Sequence, residues 1–187
     1  MAAVARKLGS SRYMSTAPKG GTSHSRFLQG LSRFVSDAGY ASKITYWGRW
    51  QMPSKYGRIN ITAPDIYAIQ DSFSSGSAVF LSIGFYKQGS RVNEWQRIGG
   101  HFVTVVGYGV DENGNVDRDM VILHDPDDGR TGKVQKRFLR LEEMRNGTFI
   151  DRRGNEADAS GHMKVTGGMR LKEGYMAVVD AVVALDL

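Results

Sequence analysis

The clearest helical pattern in this chain is a set of apolar residues near the N-terminus, at Phe27, Leu28, Leu31, Phe34 and Val35. This spacing places one apolar stripe along a helix. Thr22 or Ser23 can cap the start of the helix by accepting backbone N–H bonds, and Gly39 suits its end. The pattern therefore predicts an amphipathic helix within residues 22–40.

The nearly continuous apolar run at 78–86 predicts a strand that is buried on both faces, and residues 175–185 predict a final strand. Residues 101–108 and 119–124 form two further apolar runs, and the turn between them contains Asn113-Gly114. Asn-Gly tolerates positive φ at both positions, so these two runs predict a β-hairpin.

Weaker patterns complete the expected order of elements. They predict short helices at 2–8, 64–72 and 139–146, strands at 43–47 and 133–138, and loop-like segments over 87–99 and 150–170. Helices that precede a run of hairpin-linked strands are typical of an α+β fold. The length suits one domain. We therefore expect a single domain over residues 1–187, with N-terminal helices packed on an antiparallel sheet.

Composition limits the chemistry more than the fold. The net charge is +6, but the Lys and Arg residues are scattered, which does not favour nucleic acid as a partner. A basic interaction domain that binds nucleic acid stays open as an alternative. The chain has no cysteine, which excludes disulfides, thiolate zinc sites and a thiol nucleophile from these residues. No apolar run approaches the roughly 20 residues that span a bilayer.

Alternating Asp and Asn residues between Asp111 and Asp119 resemble a calcium-binding loop in composition. Such a loop needs Gly at its sixth position and Glu at its twelfth. Counted from Asp111, Gly114 is fourth and Ile122 is twelfth. The segment therefore predicts a solvated hairpin turn, and the sequence predicts neither a metal nor a cofactor.

The candidate chemistry lies at the ends of the central hairpin. His101 opens one predicted strand, and Asp125 closes the next. The start of one antiparallel strand lies beside the end of its partner, so topology should bring the two side chains together. A carboxylate that accepts from one ring nitrogen orients a histidine as a general base. A buried or rim histidine paired with a turn aspartate is the alternative. We interpret His124 as structural, and the sequence shows no partner for His24 or His162.

The residues around this pair resemble a known family. Gly100-His101-Phe102-Val103-Thr104-Val105-Val106-Gly107-Tyr108, followed by a strand that ends in Asp125-Pro126, is similar to the second half of the bacteriocin-leader-peptidase-like domains, family thirty-nine of the cysteine peptidases and its relatives. Gly21-Thr22-Ser23 and the apolar run at 78–86 fit the same pattern more weakly. The resemblance implies a papain-like cysteine peptidase fold, with His101 as the general base and Asp125 as its orienting partner.

The chain departs from that family at the nucleophile. The family places a cysteine at the start of its first helix and a glutamine a few residues earlier, and neither can be assigned here. Residues 1–9 resemble the end of that helix, so the cysteine would lie shortly before Met1. We expect either an N-terminally incomplete chain or a natural variant without the nucleophile. No Gly-x-Ser-x-Gly motif supplies a serine instead, and the serines at 74, 75 and 77 precede a strand.

The leading hypothesis is a peptidase-like domain of peptide or amide hydrolase ancestry, inactive as given because it lacks a thiol. Its expected partner is a peptide or protein substrate in a groove beside His101. A non-catalytic relative that binds peptides in the same groove is the nearest alternative. Relatives in this family are commonly bacterial and often exported. If the N-terminus is missing, a signal peptide would be missing with it, and the protein would then be extracytoplasmic. The compartment and the oligomeric state stay open.

Overall fold

In the computed structural model, which describes residues 2–17, 21–125, 135–151, 154–169 and 171–187, strands outweigh helices. The helices in these ranges are α1 (Ala2–Gly9), α2 (His24–Asp37) and α3 (Ile66–Ser74), with a turn of 3-10 helix at Ser54–Tyr56. The strands are β1 (Lys43–Gly48), β2 (Arg58–Asn60), β3 (Ala78–Gln88), β4 (Glu94–Val110), β5 (Val116–Asp125), β6 (Gln135–Glu143), β7 (Thr148–Ile150), β8 (Glu156–Asp158), β9 (Met163–Val165) and β10 (Tyr175–Asp186). None of the helices in the described ranges has the length and apolar character needed to cross a membrane.

Six of the strands pair in a closed antiparallel ring, in the order β3, β4, β5, β6, β9, β10 and back to β3. β10 closes the ring because it pairs with β3 along one edge and with both β1 and β9 along the other. The link between β10 and β9 is narrow, with Val178 opposite Lys164. Closure leaves these six strands with partners on both sides, which is how a barrel avoids exposed sheet edges.

This architecture shows that the expected fold class was wrong. The sequence predicted an α+β, papain-like fold with N-terminal helices on an antiparallel sheet, whereas the protein is mostly β, with 47% of residues in strands and a closed six-stranded barrel. The error arose between residues 139 and 170. The predicted helix at 139–146 is largely the second half of β6, in which buried Leu139 and Leu141 alternate with exposed Arg140. The predicted loop at 150–170 contains β8 and the closing strand β9.

Alternation along the barrel strands fills the interior with apolar side chains. The interior residues include Val79, Leu81, Ile83, Val103, Val105, Val121, Leu123, Leu139, Leu141, Ala177, Val179 and Val182. α3 adds Ile69 to this core, and the Phe73 ring lies edge-on to the Tyr108 ring near the end of β4. α3 therefore covers the end of the barrel at which β4 finishes. The opposite end is where β5 finishes and β6 begins.

α2 packs on the outside of the barrel. Ser23, one of the two predicted caps, accepts a hydrogen bond from the backbone N–H of Arg26. The buried stripe of α2 packs with the outward faces of β1 and β10 in one cluster that includes Phe27, Leu28, Leu31, Val35, Ile44, Tyr46, Ala181, Val183 and Leu185. β10 is thus covered by the barrel core on one face and by α2 on the other. This double burial is the reason for the nearly continuous apolar run at 175–185.

A buried carboxylate lies in the outer wall of the barrel, at a β-bulge in β10. Asp180 is fully buried, accepts a hydrogen bond from the Tyr86 hydroxyl, and lies 2.7 Å from Arg97 Nε. Arg49 in turn donates to the Tyr86 hydroxyl at 2.8 Å. Burial raises the pKa of Asp180, and the positive charge of Arg97 opposes that rise. The network gives this carboxylate the partners that a buried charge requires.

Two glycines make room for this network. Gly84 and Gly100 are opposite each other on β3 and β4. A Cβ on Gly84 would lie 2.1 Å from an Asp180 carboxylate oxygen, and a Cβ on Gly100 would lie 2.3 Å from Arg97 Nη2. The Asp180–Arg97 pair therefore depends on the absence of side chains at these two positions.

We expect Gly84→Ala to lower the free energy of unfolding by about 1–3 kcal/mol, the usual cost of overpacking, because the new methyl group would displace a buried carboxylate. Urea denaturation followed by circular dichroism would measure the change. Gly99→Ala is the matched control, since a Cβ there meets nothing within 4 Å. Equal effects of the two substitutions on the free energy of unfolding would contradict the claim that the Asp180–Arg97 pair needs the space beside Gly84.

Candidate functional site

The residues of the candidate site lie at the barrel end opposite α3. Four neighbouring strands contribute one each: Phe85 from β3, His101 from β4, Asp125 from β5 and Arg137 from β6. Each lies two residues along its strand from an interior core residue, namely Ile83, Val103, Leu123 and Leu139. Side chains two apart on a strand share a face. The same alternation that fills the core therefore directs these four side chains to the rim of the barrel.

The structure brings His101 and Asp125 together, and it adds Arg137. His101 Nε2 lies 2.7 Å from Asp125 Oδ1, and Arg137 Nε lies 2.8 Å from Asp125 Oδ2. Asp125 is buried, with 5% of its surface exposed, while the side chains of His101 and Arg137 are 25% and 32% exposed. A buried carboxylate between two nitrogen groups meets the requirement that buried charges be paired.

The contact with Asp125 determines which nitrogen of a neutral His101 ring carries the proton. An ionised carboxylate only accepts hydrogen bonds, so a neutral ring must donate from Nε2 and keep its lone pair on Nδ1. No hydrogen bond joins Nδ1 to another residue in the described part of the chain. The geometry therefore provides an oriented histidine whose second nitrogen can accept a proton, as a general base does.

A pocket of about 570 Å³ opens beside this pair. Its lining comprises Phe85, Gly100, His101, Asp125, Arg137, Gly168, Met169 and Leu171. Phe85, Met169 and Leu171 form its apolar wall, and the His101–Asp125–Arg137 group forms the polar one. Pro126 of the predicted Asp-Pro step, the polar turn at 127–129 and the start of the strand predicted at 133–138 lie outside the described residues.

Serine does not replace the missing thiol among the residues that the structure describes. Ser74 hydrogen-bonds the Tyr108 hydroxyl at 2.6 Å, at the α3 end of the barrel, which is remote from the pocket. Ser82 hydrogen-bonds His24 rather than His101.

Two histidines without assigned partners in the sequence lie outside the barrel core: His24 is half-buried and His162 is buried. His24 Nε2 lies 2.8 Å from Ser82 Oγ, and its ring lies 4.2 Å from the Trp50 ring. Burial, with the charges of Arg97 and Arg49 in addition, lowers the pKa of His24 to about 4. His24 comes from α2 and Ser82 from β3, 58 positions later, so local sequence holds no signal for this contact.

His162 lies edge-on to the Phe149 ring at 5.0 Å, and burial lowers its pKa. Neither of its ring nitrogens has a hydrogen-bond partner among the described residues. His124, in contrast, is exposed beside buried Asp125, which agrees with its position on the opposite face of β5.

The acidic turn at 111–117 satisfies its own backbone. Asp111 Oδ1 accepts from the backbone N–H groups of Asn113 and Asn115 at 2.9 and 2.8 Å. Hydrogen bonds from Asn115 lower the pKa of Asp111. These contacts are those of an Asx-type turn. Within the described ranges, no group of three His, Asp or Glu side chains is placed to hold a metal.

We expect the neutral His101 ring to carry its proton on Nε2, and Asp125→Asn to shift the tautomer toward Nδ1–H, because an amide can donate to Nε2. The same substitution should lower the free energy of unfolding by about 1–3 kcal/mol, because it weakens the buried contacts of this side chain with His101 and Arg137. Long-range ¹H–¹⁵N correlation spectra report the tautomer directly. Asp71→Asn on exposed α3 is the control. A wild-type ring protonated on Nδ1 would contradict the proposed orientation.

Stability should fall as the pH drops from about 6.5 to 4 because of His24. Its pKa is 6.5 in the unfolded chain and about 4 in the fold, so the unfolded chain takes up the proton first. The contribution is complete above pH 6.5 and is lost toward pH 4, by up to about 3 kcal/mol.

Urea midpoints measured across this pH range for the wild type and for His24→Gln isolate the contribution of His24 from that of other groups. The acid loss should shrink in His24→Gln and persist in the control His124→Gln, which changes an exposed ring. Parallel pH curves for the wild type and His24→Gln would refute this assignment.

Comparisons with known proteins leave the site to be judged by its geometry. A scan of protein-family models, a search of curated proteins and a search of solved structures each found no match to this chain. The site is therefore characterised by the contacts of His101 with Asp125, of Asp125 with Arg137, and by the pocket that they line.

Proposed function

We propose that the pocket at the barrel end opposite α3 binds a peptide or a related amide, with His101 as the base and Asp125 as its orienting partner. The observation that carries this proposal is the 2.7 Å contact between His101 Nε2 and Asp125 Oδ1 at the wall of a pocket of about 570 Å³. Pockets of this size suit small ligands or one to a few residues of a chain.

The chemistry of this pair matches the base half of an acyl-transfer site. A nucleophile that attacks an amide carbonyl must lose a proton, and His101 Nδ1 is the free acceptor on an oriented ring. The same nitrogen can then pass that proton to the leaving amine. Asp125 stays ionised throughout and stabilises the charged ring, as the carboxylate does in His-based triads. A positioned base of this kind contributes on the order of 10²–10⁴ in rate.

The nucleophile is not part of this proposal. The sequence contains no cysteine, and removing a nucleophile removes nearly all of the rate in such sites. We therefore propose that the chain, as given, binds peptides without thiol-dependent cleavage. The resemblance of the His101 and Asp125 segments to leader-peptidase-like cysteine peptidases supports this ancestry for the site.

The test is a titration of the protein with peptides from a casein digest, followed by NMR of the His101 ring and by mass spectrometry of the peptides. We expect the ring signals to shift while the peptides stay intact. Leu171→Trp should fill the pocket and weaken binding at least about tenfold, which corresponds to 1.4 kcal/mol. Leu187→Trp places the same side chain at an exposed position and should leave binding unchanged.

Three results would count against the proposal. If no peptide in the digest perturbs His101, the pocket is not a peptide site. If peptides are cleaved by the purified chain, a nucleophile other than a thiol operates and the binding-only part is wrong. If an oligonucleotide perturbs the protein with steep salt dependence and peptides do not, the basic interaction domain is the better reading.

A further inference from the structure

Arg137 is a pocket residue that the sequence analysis did not identify. It lies two residues before Leu139 on β6, so it shares the inward face of that strand. Its Nε contacts Asp125 Oδ2 at 2.8 Å as an ion pair, but the buried Nε–H group donates no hydrogen bond of good geometry to a described residue. About a third of the side chain remains exposed, at the lining of the pocket. The guanidinium is therefore both anchored and accessible.

In the described lining of the pocket, Arg137 is the donor group of the polar wall, whereas His101 Nδ1 and the Asp125 carboxylate are acceptors. A guanidinium offers five N–H donors and accepts none. The one carboxylate in the described lining is that of Asp125, and it is already in contact with both His101 and Arg137. A ligand group that complements Arg137 must bring acceptor atoms, and an anionic acceptor suits a guanidinium best.

The apolar wall of the pocket determines which ligand group can lie next to that acceptor. Phe85, Met169 and Leu171 present apolar surface to the same space. A ligand that fills the pocket therefore combines an apolar group with an acceptor a few bonds away. The last residue of a peptide with an apolar side chain has this form, since its terminal carboxylate lies next to that side chain.

We propose that Arg137 recognises the carboxylate of a peptide, with an apolar side chain beside it against Phe85, Met169 and Leu171. This inference rests on the proposed peptide-binding function and names the substrate class of that site. His101 and Arg137 contact the same carboxylate, so a peptide held by Arg137 has its final amide close to His101. The carboxylate can belong to the chain terminus or to an acidic side chain, and the experiment separates the two.

The probes are N-acetyl-leucine, N-acetyl-leucine amide and N-acetyl-glutamic acid α-amide, titrated at neutral pH while the ring signals of His101 and the Nε–H signal of Arg137 are followed by NMR. We expect N-acetyl-leucine to bind roughly tenfold more tightly than its amide, a difference of about 1.4 kcal/mol. A stronger response to the glutamate compound than to N-acetyl-leucine would assign the carboxylate to a side chain.

Arg137→Met should abolish the preference for the acid over the amide. Arg137→Lys keeps the charge but loses the planar fork, so it should keep part of the preference. The matched control is Arg140→Met on the same strand, where the guanidinium pairs with Asp117 outside the pocket. Arg140→Met should keep the full preference. Circular dichroism would establish that each variant is folded.

The outcomes separate this inference from the function on which it rests. If casein peptides perturb His101 but the acid and its amide bind wild-type protein equally, the carboxylate inference is overturned and the peptide site stands. If neither the peptides nor the small probes perturb His101, both fail. Because the first comparison uses wild-type protein, it remains decisive even if Arg137→Met does not fold.

Discussion

The pairing of β10 on both of its edges is the constraint on which the rest of the structure depends. One edge holds β3 and the other holds β1 and β9, so the sheet must close through β9 and β6. Closure directs every second side chain of each barrel strand into one interior. The inward columns of β3, β4, β5 and β6 then end side by side at the rim. The His101–Asp125–Arg137 group is a direct result of that geometry.

The barrel contains two buried carboxylates, and each lies against an arginine. Asp180 is in the outer wall, where Arg97 and the Tyr86 hydroxyl contact its oxygens. Asp125 is at the rim, where its contacts include His101 and Arg137, and both of those line the pocket. Both arrangements follow from the cost of an unpaired charge in an apolar interior. They differ in that His101 and Arg137 line the pocket at the barrel end, whereas Arg97 and Tyr86 do not.

The parts that the sequence predicted are those in which local patterns and burial agree. The helical stripe on α2 and the final strand predicted at 175–185, which is β10, are such parts, since each has a cover that matches its pattern. The prediction of a helix at 139–146 was wrong. The alternation of apolar Leu139 and Leu141 with polar residues is too short to distinguish a strand from a helical turn. The closing strand β9 is three residues long and carries almost no periodic signal. The sequence therefore gave no basis for predicting that the barrel closes.

The site was predictable to the extent that one hairpin contains it. His101 and Asp125 belong to consecutive strands joined by an Asn-Gly turn, so topology alone brings them close. Arg137 depends on the register between β5 and β6, which pairs Leu123 with Arg137 and which no short turn signal specifies. In retrospect, the signal was its place in the alternation before Leu139. A charged residue in an inward column of a barrel strand needs either a buried partner or a pocket, and Arg137 has both.

The same contacts serve the fold and the site, and this determines which measurements can tell the two apart. Asp125 is buried, so His101 and Arg137 stabilise its charge whether or not a ligand binds. A loss of stability on mutation of any of the three would follow from burial alone. A preference between an acid and its amide would not, because a purely structural arginine gains nothing from a free carboxylate in the pocket. Ligand discrimination, rather than folding stability, is therefore the property that distinguishes a binding site from a well-paired buried charge.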